Sequence, residues 1–329
     1  MATIARPQKA KHQARIIFLC VALLAAFYAL FIFTDLSDVL SNITYTPPAE
    51  VSALADKLSL TGKARTIFYA TRPALEGRDD FNHHCDSHNA DISVLGCYTG
   101  GQIYLYNVNS TELPDVVEST AAHELLHAAW ERLNVFEKAA VSAELERLYE
   151  ANQDSLSEDL DLYAPEDRLD ELHSRIGTEI ADLPASLEHH YAKYFTDQDA
   201  IVALYTHYHE PFEQLKAELS TLATELESAK AEIDARTKAY YEDVAALNSR
   251  IDEFNQCAST VGCFATQADF NTRRRALVSE QSALEDAYHS INTAITEYNN
   301  KVTRYNDNIL RSETLENLIN SNAAPQEVN

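Results

Sequence analysis

Hydrophobic positions along this chain follow three different rhythms. From Ile16 to Phe33 the run "IIFLCVALLAAFYALFIF" is uncharged and has about the minimum length that crosses a bilayer as a helix. The middle of the chain then mixes short strand-like runs with longer helical ones. "ARTIFYAT", Ala64 to Thr71, and "QIYLYNV", Gln102 to Val108, carry the β-branched and aromatic residues of strands. From Asn109 onward the spacing is helical. "NSTELPDVVESTAAHELLHAAWERL" opens with the capping residues Ser110 and Thr111, tolerates Pro114 in a first turn, and runs to Leu133. "NVFEKAAVSAELERLYEAN", "APEDRLDELHSRIGTEIADLP" and "ASLEHHYAKYFTDQDAIVALYTHYHEPFEQL" read as further helices. Beyond them two heptad seams appear, one from Leu215 to Phe254 and one from Phe270 to Ile309, joined by the loop "NQCASTVGCFATQAD". They predict an antiparallel helical hairpin roughly 60 Å long at 1.5 Å per residue.

The expected class is therefore α+β, predominantly α. Residues 1–15 read as a basic N-terminus, 16–34 as a transmembrane helix, 35–50 as a linker and 51–209 as a folded domain. Residues 210–315 form the coiled-coil hairpin, and 316–329 read as a disordered tail. Arg6, Lys9, Lys11 and Arg15 precede the apolar run, and Asp35 and Asp38 follow it. That asymmetry predicts a single-pass membrane protein with a cytoplasmic N-terminus and extracytoplasmic C-terminal domains.

Composition supports the helical reading, since 329 residues include only 7 Gly and 9 Pro. Fifty-one acidic residues against 26 basic ones give a net charge of -25, which argues against nucleic acid as a partner. Outside the membrane run lie Cys85, Cys97, Cys257 and Cys263. Proximity in sequence suggests the pairs Cys85 with Cys97 and Cys257 with Cys263, as disulfides of an oxidising compartment. On the same ground "HHCDSH", with His83, His84 and His88, reads as surface around a disulfide cysteine rather than as a metal cluster.

Chemistry is concentrated in "HELLH". His123 and His127 are four residues apart, so on a helix both imidazoles can reach one metal ion, and Glu124 stands beside them as a base. Small Ala121, Ala122, Ala128 and Ala129 let that helix pack closely, and "QIYLYNV" upstream is a candidate edge strand for an extended peptide.

From the strands through the HELLH helix to the acidic helix after it, the segment Ala64–Pro184 resembles a zincin metallopeptidase. Neither the Gly nor the third His of the HExxHxxGxxH pattern follows, so the chain is more similar to the gluzincins, whose third ligand is a glutamate. The resemblance implies one Zn2+ per chain, held by His123, His127 and a glutamate from "DRLDELHSRIGTEI". Glu171, with Ser174 three residues on, is similar to the Glu-x-x-Ser helix of oligopeptidase-type gluzincins, and Glu179 is the alternative. Arg175 stands four residues after Glu171, where thermolysin-like relatives carry Asp, so the carboxylate that orients a histidine is left unassigned. His190 and Tyr191, with His189 and Tyr104, are the candidate transition-state stabilisers.

The expected function is hydrolysis of peptide or protein substrates by a zinc-activated water, with Glu124 as general acid and base and endopeptidase action favoured. The rival expectation is a surface-anchored structural protein whose zincin-like domain is silent. In either case the hairpin is the candidate for self-association or partner docking.

Overall fold

The computed structural model describes residues 15–19, 21–22, 36–85, 94–151, 156, 160, 163–165 and 167–322. The expected transmembrane run lies largely outside these residues, as do His88 and the end of the tail. Among the described residues no helix is long and apolar enough to cross a membrane. The chain divides into two compact units, one formed by Met1–Pro211 with Leu315–Asn329, the other by Phe212–Thr314.

In the first unit, helices α1 (Ala49–Lys57) and α2 (Gly62–Ala70) are followed by strand β1 (Ala74–Glu76) and helix α3 (Arg78–His84). Strands β2 (Gly96–Thr99) and β3 (Gln102–Tyr106) come next, then α4 (Val116–Glu131), α5 (Val135–Ala151), α6 (Arg168–Glu179) and α7 (Ala185–Tyr191). The expected strand at Ala64–Thr71 is instead α2. Thr61 caps it by accepting from the Ala64 backbone N–H, and Ala64, Ile67 and Phe68 are its buried face. That spacing of three and four is helical, and it prevails over the β-branched content of the stretch.

The sheet order is β1-β3-β2, with β1 parallel and β2 antiparallel to β3. "QIYLY" is thus a strand but the central one, not an edge. Its Ile103 and Leu105 are fully buried on one face. Gly100 and Gly101, both at positive φ, make the two-residue turn that joins β2 to β3. The Cys85–Cys97 disulfide ties the end of α3 to β2.

Helix α4 begins later than its capping residues suggested. Asp115, at φ 63°, precedes Val116, and its carboxylate accepts from Lys57 Nζ at 2.5 Å and pairs with His207 Nδ1 at 3.0 Å. Residues 36–43, expected as linker, are helical. Asp38 there pairs with Arg132, which donates from Nε at 2.7 Å and from Nη2 at 2.9 Å. The expected disordered tail is also partly ordered. Leu315 is fully buried, and Asn82 Nδ2 donates to the Ser321 carbonyl at 2.6 Å.

Two long helices, α8 (Gln198–Ala258) and α9 (Gln267–Ile319), supply the second unit. Across them Glu218 meets Asn308, Glu225 meets Lys301, Arg236 meets Ser290 and Arg250 meets Glu280. Partners descend on one helix as they ascend on the other, which is the antiparallel hairpin expected. Cys257–Cys263 closes its tip beside a cluster of Phe254, Phe264 and Phe270.

Candidate metal centre

Two helices bring the site together. Helix α4 carries His123, Glu124 and His127, and α6 carries Asp170 and Glu171. Their close approach depends on small residues. Ala121, Ala122, Ala128 and Ala129 are buried to 1% or less. A Cβ on Gly177 would lie 2.5 Å from Leu126 Cδ1 on α4 and from the ring of Tyr191. Glycine in a helix costs about 1 kcal/mol against alanine, and here it is what allows the two helices to meet.

Among the described residues one group could hold a metal ion: His123, His127 and Glu171, each offering a ligand atom, all within 4.8 Å of one another. The two Nε2 atoms lie 3.1 Å apart, and Glu171 Oε2 is 3.6 Å from His123 and 3.4 Å from His127. The histidine side chains keep 22% and 19% exposure while Glu171 keeps 7%, so the donors converge on one accessible side. Two imidazoles and a carboxylate are three donors, one fewer than a closed tetrahedral site supplies. Glu171, not Glu179, is brought to the histidines.

Behind the donors, His127 Nδ1 donates to Asp170 Oδ1 at 2.8 Å. This leaves Nε2 free to face a metal and supplies the orienting carboxylate that sequence reasoning left unassigned. Its only signal was adjacency to Glu171.

The electrostatics favour positive charge at this point. Burial opposes ionisation of Glu171, but His123 and then His127 outweigh it and hold the carboxyl far below its usual range. Burial likewise opposes charge on His127, yet hydrogen bonds to Asp170 and Glu171 raise it well above the ordinary value, and Glu171 raises His123 against the same penalty. A cation replacing those protons would occupy the same field. Glu124 is 6% exposed, and its carboxyl is raised by burial, partly offset by the two histidines. It does not join the metal group. Its side chain lies against β2, where a Cβ on Gly96 would come within 2.9 Å of Glu124 Oε1.

Tyr163 is a residue that sequence reasoning missed. Its pKa is raised by burial and then by the nearby charges of Glu171 and Glu124, which puts it in the electrostatic surroundings of the group. It belongs to no periodic pattern, so nothing in the sequence marked it.

Other candidates are placed elsewhere. Glu179 pairs with Arg175 at 3.3 Å. Tyr191 is fully buried, and its hydroxyl donates to the His173 carbonyl at 2.8 Å. His190 Nε2 lies 2.9 Å from His173 Nε2, and burial, with Lys193 and Lys63, lowers its pKa to about 4. These two form a buried cluster with Trp130 and Tyr194, so neither is free to meet a substrate. Tyr104 stacks on His84, which pairs with Glu76.

Comparison with protein-family models finds no match, and neither curated proteins nor solved structures yield a match.

Proposed function

We propose that this chain is a membrane-anchored, extracytoplasmic zinc peptidase that cleaves peptide bonds in polypeptide substrates. The observation that carries the reading is the pairing of a three-donor group, His123, His127 and Glu171, with a neighbouring carboxylate, Glu124, that is left out of it. Nitrogen donors with one carboxylate suit zinc better than magnesium or calcium. Zinc held there would act as a Lewis acid, acidifying a water and polarising the peptide carbonyl.

The protein's own groups account for the proton traffic. Glu124 takes a proton from the attacking water as the new C–O bond forms, then delivers it to the amine nitrogen as the C–N bond breaks. Its raised carboxyl pKa suits both halves of that cycle. Tyr163, which feels the charges of Glu171 and Glu124, is our candidate donor to the carbonyl oxygen as it gains charge. The uncharged run Ile16–Phe33 behind a basic flank supports the anchor, and the two disulfides are compatible with an oxidising location.

The test is metal analysis and peptide cleavage by the full chain in detergent. Zinc near one per chain is expected, with Glu124→Gln retaining zinc and losing cleavage by about 100-fold or more. Unaltered cleavage in that variant, or no bound metal, sinks the proposal and leaves the structural-protein reading.

A further inference from the structure

The helix at residues 36–43 is amphipathic in the reverse sense. Its polar residues are the ones that dock: Asp38, 7% exposed, receives both arms of Arg132, and Asn42 Nδ2 donates to the Thr66 carbonyl at 2.9 Å. Leu36, Val39, Leu40 and Ile43 recur at the spacing of one helix face and are 47% to 72% exposed. A helix bathed in water buries its apolar stripe and exposes its polar side, so this face lacks its solvent.

We propose that the stripe Leu36, Val39, Leu40 and Ile43 seats in the interfacial layer of the bilayer. The inference rests on the reading of Ile16–Phe33 as the anchor, and the distance along the chain argues for it. Only Thr34 and Asp35 separate Phe33 from Leu36. Three steps of about 3.8 Å cannot carry Leu36 more than roughly 11 Å from the end of the apolar run. That is about the depth of the headgroup region, in which interfacial helices bury their apolar face by ~5–10 Å. Residues 36–43 carry no Lys or Arg, and the chain has a net charge of -25. Apolar burial therefore drives the contact, and zwitterionic lipid suffices.

The polar side transmits this placement to the metal centre. Arg132, which Asp38 holds, is the C-cap residue of α4. It lies five residues after His127, roughly 8 Å along the helix axis. The site is thereby held near the lipid surface, and its substrates are polypeptide segments close to the same membrane.

The test uses the full chain in phosphatidylcholine vesicles, in a Cys20→Ser background with both disulfides intact. A polarity-sensitive fluorophore is attached at Val39→Cys or Leu40→Cys, with Val135→Cys, 79% exposed, as reference. Quenching by lipid-borne nitroxide several-fold stronger at 39 and 40 than at 135, and unchanged by salt, is expected. Equal quenching at all three positions in chain that co-floats with the vesicles overturns the inference, whereas chain that does not co-float overturns the anchor reading and the inference with it. Blue-shifted emission that the lipid quencher does not reach also overturns it, because protein, a second copy of the chain included, then covers the stripe. Neither readout involves metal or cleavage, so failure here is distinct from failure of the peptidase reading.

Discussion

Asp170 shows how one side chain outside the donor set governs the centre. By accepting from His127 Nδ1 at 2.8 Å it fixes the ring's tautomer and raises its basicity. It also contributes to the raised His127 pKa, so protons compete with metal more strongly as pH falls. The sign follows from the direction of the shifts: below the raised histidine pKa values the imidazoles hold protons and metal leaves, and above them metal binds. Glu171, held far below the usual carboxyl range, stays ionised throughout. For Asp170→Asn we expect metal affinity to fall about 10- to 100-fold near neutral pH and its pH dependence to flatten. Competition with a chelator at stepped pH measures both, and unchanged affinity would remove Asp170 from this role. In the sequence, the spacing of HELLH marked His123 and His127 as candidate ligands of one ion, because residues four apart share a helix face. Asp170 carried no such mark, because the contact between α4 and α6 puts it in place.

At the scale of elements, the meeting of α4 and α6 is decided at Gly177. An added Cβ would come within 2.5 Å of Leu126 Cδ1 and Tyr191 Cε1. Leu126 and Tyr191 are fully buried, and Tyr191 is tethered to His173, so neither can yield cheaply. Helix propensity alone predicts that Gly177→Ala would stabilise by about 1 kcal/mol. We expect the opposite, a loss of about 1–3 kcal/mol from overpacking, with weaker metal binding as Glu171 is pushed away. Denaturant unfolding and metal titration test it, and a stabilised variant with normal affinity would refute it. The long helices, the strand "QIYLY" and both cysteine pairings were legible in the sequence, since period and proximity are local signals. The strand expected at Ala64–Thr71 failed because its Thr61 cap and the burial of Ala64, Ile67 and Phe68 favour a helix. The central position of β3 was hidden because β1 and β2 are only three and four residues long.

Across the whole molecule, the chain end returns to the unit it began in. Leu315–Asn329 groups with Met1–Pro211, Leu315 is fully buried and Ser321 is 2% exposed. Truncation after Thr314 removes that buried leucine, worth about 2 kcal/mol, and the partner of Asn82. A lower melting temperature than that of the full chain is expected from calorimetry, and an identical one would show that the returning segment adds no stability. Heptad spacing continues smoothly towards this segment, so sequence pattern alone placed the boundary one way and read the remainder as tail.

The sequence by itself determined the helical class, the antiparallel hairpin, the disulfide pairs and the residue types His123, Glu124 and His127. Each of these depends on neighbours within a few residues, on chain proximity or on a repeating period. The sequence favoured Glu171 over Glu179 by resemblance, and tertiary structure brings Glu171 to the histidines while Arg175 engages Glu179. Tertiary structure alone decided that Asp170 orients His127, that His190 and Tyr191 belong to a buried cluster, and that residues 36–43 turn their polar side inward. These three depend on which faces of separate elements come together, and that is set by packing rather than by local propensity.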